Sequence, residues 1–226
     1  MEDYKRYFTK WLERRPDKAS EKYRALQRMQ EMYDRAEEGF DNRFEDPNNF
    51  NMVEDCNESL KKLEAEWKVY QQDPELKKMA YLTKGHILLR KGQYQGEKFF
   101  DPQDCFQQAC IVLRQGYDPK GTDFLNLLIQ LTLGKYFCAT AKHNQRSDYR
   151  RALDEFREVR KKIEDSREGR FSDWDTHLWL DASVYMGIAE RYLYRLKSAK
   201  IQFLRIIRLI LEMSRNELFG NGKFSA

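Results

Sequence analysis

Residues 187–206 read GIAERYLYRLKSAKIQFLRI, and their spacing decides the fold. Gly187 is followed twelve residues later by Ala199, four further on by Phe203 and three beyond that by Ile206. On a helix, residues three and four apart share a face. A small residue on one helix, faced by a small and then a large residue on the next, lets two backbones approach while the large side chain fills the groove between them. The stretch therefore predicts two antiparallel helices joined by a short turn.

The same grammar recurs upstream. Leu133-Gly134 precede Ala152, Phe156 and Val159, although Gly134 and Ala152 are eighteen residues apart and the segment 141–147 (AKHNQRS) reads as an insertion. Earlier, Tyr81 and Gly85 precede Cys105, Phe106, Ala109 and Val112, with Asp118-Pro119 as a stop and 95–103 as a second stretched connection. Gly92 and Gly96 read as the turn between these helices, and no strand precedes them to make a phosphate cradle. Three such matches in tandem, over about residues 75–213, resemble tetratricopeptide repeats. The resemblance implies a right-handed α-solenoid of antiparallel helix pairs, with the first helix of each pair lining the concave side, and a role in binding other proteins.

Working outward, apolar residues at helical spacing predict a first helix over 3–14, which Pro16 stops, and a second over 20–40 with Ser20 as its cap. The run 41–52 is rich in Asn, Asp and Pro and lacks a helical period, so it is the expected boundary. Another helix is expected over 53–72, ending at Asp73-Pro74. The domain reading is an N-terminal helical segment and loop over 1–52 and the repeat region over 53–226, continuous with the N-terminal helices or distinct from them. The first helices fit no repeat register and read as a degenerate pair or a cap.

Composition agrees with an all-α chain. Charged residues make up 35% of 226, there are only 5 prolines, and alternating apolar runs are rare. A hydrophobic content of 41% suffices for a core. No stretch reaches the roughly 18 to 20 apolar residues of a membrane span, and Glu2, Asp3, Lys5 and Arg6 open the chain, so a soluble, cytoplasmic protein without a membrane role is expected. Cys56, Cys105, Cys110 and Cys138 lie inside apolar helical patterns with no CxxC spacing, which predicts core residues and no metal.

No nucleotide-binding, zinc-protease, serine-hydrolase or kinase signature occurs, and neither cofactor nor catalysis is expected. Asp173, His177 and Asp181 recur every four residues near Asp175, a spacing that would orient an imidazole. The simpler reading has Ser172 or Asp173 capping a helix, with His177 facing solvent or a neighbour. His86 is expected to pack and His143 to lie in a loop. Basic residues between Arg146 and Lys162 interleave with Asp148, Asp154, Glu155, Glu158 and Glu164, which predicts a solvated face held by ion pairs.

Charge is uneven: residues 191–226 hold eight Lys or Arg against two Glu, +6 of a formal total of +4. Within this end, Ile201, Phe203, Leu204, Ile206, Ile207, Leu209, Ile210, Leu211 and Met213 leave little polar surface, so the last helix needs covering on nearly every side. The chain's own tail and N-terminal helices, a homo-oligomer, or another protein would each do so. The leading expectation is a protein-protein interaction module, an adaptor or accessory subunit. The alternative is a nucleic-acid-binding repeat protein that uses the basic end. The resemblance nominates polar first-helix positions for contact, Lys84, Asn126, Gln130, Asp181, Arg191 and Arg195. The apolar last helix adds Phe203, Ile207 and Ile210.

Overall fold

A computed structural model describes residues 11–42, 52–97, 101–143, 146–167 and 173–219. Every regular element among them is helical: α1 (Glu21–Asn42), α2 (Met52–Ala65), α3 (Trp67–Tyr70), α4 (Pro74–Glu97), α5 (Gln103–Gly116), α6 (Phe124–His143), α7 (Arg146–Arg167), α8 (Asp173–Tyr192) and α9 (Leu196–Phe219). The chain divides into two compact units, Met1–Pro119 and Lys120–Ala226. Most of the helix expected over 3–14, most of the boundary run 41–52, and Ser172 lie outside the described residues.

In the first unit, local chemistry sets the helix starts. Ser20 caps α1, accepting the Tyr23 amide at 3.0 Å. Asp73 caps α4 by accepting the amides of Glu75 and Leu76 at 2.9 and 3.0 Å, with Pro74 at the first helical position where no amide is needed. The single helix expected over 53–72 is instead broken after Ala65, and α3 follows as one turn.

Side-chain pairs fix the directions. Lys91 donates to Asn57 at 2.7 Å and Lys84 to Glu64 at 2.9 Å, while Trp67 meets Tyr81 edge-on, so α2 and α3 run antiparallel to α4. Met29, Tyr33 and Glu37 meet Thr83, His86 and Arg90 in the same order, so α1 and α4 are parallel. Buried Ser59 and Leu63 of α2 carry a small-then-large pair four residues apart.

Two expectations are corrected in α4 and α5. Gly92 and Gly96 form no turn; the helix continues to Glu97, and a β-carbon on Gly92 would lie 2.8 Å from the Phe106 ring. Gly92 thus admits the start of α5 instead of bending the chain. The packing register also shifts by one: Leu113 fills the notch at Gly85, so Ala109 and Leu113 are the small and large partners, not Cys105, Phe106 or Val112.

The second unit repeats this construction. Phe156 of α7 fills the notch at Gly134 of α6, and Phe203 of α9 that at Gly187 of α8. Tyr185 stacks on Phe156 with centroids 5.5 Å apart, and Tyr192 on Tyr149 at 4.8 Å, so α8 runs antiparallel to α7. The segment 141–147 makes no long loop, because α6 extends to His143 and α7 begins at Arg146; His143 is the last residue of α6. The expected ion pairs along α7 form, Arg151 with Asp148 at 3.6 Å, Arg157 with Asp154 at 3.5 Å and Arg160 with Glu164 at 3.2 Å. Buried Leu127, Leu131, Ala152, Phe156, Val159, Ile163 and Ala182 make up much of the core, each large side chain contributing about 1.5 to 3 kcal/mol.

Candidate protein-docking surface

The turn from α8 to α9 is built from an unusual residue. The Arg195 amide donates to the Glu190 carbonyl at 2.8 Å and the Tyr194 amide to that of Arg191 at 3.0 Å. This bond pair terminates a helix around a residue with left-handed backbone, ordinarily glycine. Here it is Tyr194, with φ of 59° and 73% of its surface exposed. A left-handed conformation costs a non-glycine residue about 1 to 2 kcal/mol.

Beyond this turn, α9 packs chiefly on α8. Ala199 and Ile206 face inward and are buried, and Gln202 accepts a hydrogen bond from Arg160 of α7 at 3.0 Å. The opposite face carries Ile201 (43% exposed), Leu204 (54%), Ile207 (53%), Ile210 (47%) and Leu211 (58%). Leu204, Ile207 and Leu211 are spaced by three and four and form one stripe. Lys197, Lys200, Arg205 and Arg208 are exposed around it, and no acid occurs between 196 and 211. At its N-terminal end a shallow open depression of about 420 Å³ is lined by Tyr194, Arg195, Leu196, Lys197, Ser198 and Ile201.

The nominated contact residues separate into three groups. Ile207 and Ile210 lie on the exposed stripe, and Phe203 is 36% exposed with its ring edge in the Gly187 notch. Arg191 and Arg195 are exposed beside Tyr194. The remaining four serve contacts within their own unit. Asn126 is fully buried and donates to the Gly121 carbonyl at 2.8 Å; Gln130 is buried and donates to Glu155 at 3.1 Å. Asp181 pairs with Lys135 at 3.3 Å, and Lys84 pairs with Glu64 while its ammonium sits 5.1 Å above the Trp67 ring.

Of the acid–histidine group, Asp175 is buried and His177 half-buried, and the side chain of Asp173 lies outside the described residues. Among the described residues no three His, Cys, Asp or Glu side chains gather as metal ligands, and no helix is long and apolar enough to cross a membrane.

The sequence reading missed a buried ionic cluster in the first unit. Arg90 donates from Nε to Glu37 at 2.6 Å and also from its terminal nitrogen, and His86 Nε2 lies 2.8 Å from the same carboxylate. Tyr33 stacks on His86 with centroids 3.8 Å apart, and the Arg90 guanidinium lies over the Phe40 ring. Burial pushes the Glu37 carboxyl up, but Arg90 and His86 outweigh it and hold Glu37 well below the usual carboxylate range. The cluster locks α1 to α4 in register.

Comparison of the chain with protein-family models, with curated proteins and with solved structures gives no match.

Proposed function

We propose that the protein is a non-catalytic interaction module, an adaptor or accessory subunit working in the cytoplasm, which docks a protein partner on the outer face of α9. The observation that carries this reading is the exposed stripe of Leu204, Ile207, Ile210 and Leu211, because contiguous apolar surface of this kind marks interaction sites. Tyr194 adds to it. A large exposed aromatic ring held in a left-handed conformation at the edge of the stripe carries a conformational cost that a docking anchor explains. The glycine notches at 85, 134 and 187, each filled by a large residue of the following helix, support an assembly of tetratricopeptide-like pairs stacked as a right-handed α-solenoid.

The basic side chains around the stripe favour one competing reading, attachment to nucleic acid. Light scattering with matched absorbance spectra, at about 50 and about 500 mM salt, separates the two because phosphate contacts weaken steeply with salt. The docking reading expects purified protein free of nucleic acid at both. Co-purifying nucleic acid released at high salt would replace it with the competing one.

A further inference from the structure

The outer face of α9 corresponds, residue by residue, to the face of α7 that α8 contacts. Superposing the small and large positions, Ala152 on Ala199 and Phe156 on Phe203, brings Arg157, Arg160, Ile163 and Glu164 of α7 onto Leu204, Ile207, Ile210 and Leu211 of α9. On α7 this face is occupied. Phe156 and Ile163 are fully buried, with Tyr185 stacked on the former. The Arg160 guanidinium lies 4.3 Å from the centroid of the Trp179 ring, and Trp179 Nε1 donates to Glu164 at 2.8 Å. On α9 every corresponding residue is exposed, and the two arginines and the glutamate are replaced by leucine and isoleucine.

Resting on the docking reading above, we infer that an amphipathic helix of a partner protein, with acidic residues flanking its apolar seam, lies on α9 as α8 lies on α7. A helix fits because the exposed residues recur at three and four, the spacing that interlocks with a second helix. Acids fit because Lys197, Lys200 and Arg205 are exposed beside the seam and residues 196–211 include no acid. A second copy of this chain fits poorly, since two α9 faces would oppose their cations.

The test is a displayed library of helical peptides about 20 residues long, enough to span the stripe. Leucine is fixed at three-and-four spacing, and the flanking positions are drawn equally from Glu, Lys, Gln and Ser. It is selected against the full chain, with L204E/I207E as counter-target. The expected result is enrichment of Glu over Lys at the flanks by about tenfold, reversing against K197E/K200E/R205E. Circular dichroism of both variants checks that they fold. Selected peptides that need Leu204 and Ile207 but show no acidic excess would overturn the acidic helix and leave the docking reading intact. A selection with no dependence on those two residues would overturn both. Binding to phosphatidylserine vesicles or single-stranded RNA that is lost in the charge-reversed variant and kept in L204E/I207E would also overturn the inference, assigning the cations to phosphate.

Discussion

The Phe156 ring occupies the space that a β-carbon on Gly134 would need. Such a carbon would lie 2.7 Å from Cδ1 and Cζ of the ring, and Tyr185 closes the ring's other side. The corresponding ring of Phe203, against Gly187, is 36% exposed and has room to turn outward. Alanine improves helix propensity over glycine by about 1 kcal/mol, while overpacking costs about 1 to 3 kcal/mol. Gly134→Ala is therefore expected to destabilise the second unit by about 1 to 2 kcal/mol. Gly187→Ala is expected to change stability by less than about 1 kcal/mol, because propensity offsets the smaller clash. Urea midpoints of the two variants check the contrast.

Glu37 contacts both His86 and Arg90. Glu37→Ala removes the carboxylate that faces the buried Arg90 guanidinium, a change expected to cost about 3 to 5 kcal/mol and to speed amide exchange in α1 and α4.

Acid titration follows from the direction of the Glu37 shift. Its carboxyl is held below its unfolded-state value, so its stabilisation is fully present above that value, about pH 4.3, and is lost as pH falls through the native one. Wild-type stability should therefore fall more steeply below about pH 4 than that of Glu37→Gln. Denaturant midpoints across that range supply the test; parallel curves would remove Glu37 from the account.

Tyr194→Gly relieves the left-handed strain at the α8–α9 turn. Thermal denaturation should show a gain of about 0.5 to 1 kcal/mol, with docking weakened by loss of the ring. A variant that is more stable and equally competent to bind would mean that Tyr194 is not a docking anchor.

Much of this fold was legible because its signals are local. Ser20 announces its own cap, and Gly187, Ala199, Phe203 and Ile206 lie within one short hairpin. The first pair misled by one residue because α4 and α5 are joined across a longer separation, and both Phe106 and Leu113 have a glycine to fill. Gly92 and Gly96 resemble a turn in sequence, whereas a glycine inside a helix serves close approach equally well. The Glu37, His86 and Arg90 cluster was invisible, since it depends on the parallel register of α1 and α4, which no local pattern specifies. Of the docking face, the apolar excess was readable in advance. Which residues point outward was not, because that depends on how α9 rolls against α8.

The most direct test of the central claim is site-specific photo-crosslinking in the cells that make the protein. A benzophenone side chain is placed at position 207 on the α9 stripe, and at Ile111, an exposed apolar residue of α5, as control. The account predicts a discrete protein adduct from 207 whose cross-linked peptide is helical and acidic, and none from 111. No adduct from 207, or one to nucleic acid, would contradict it.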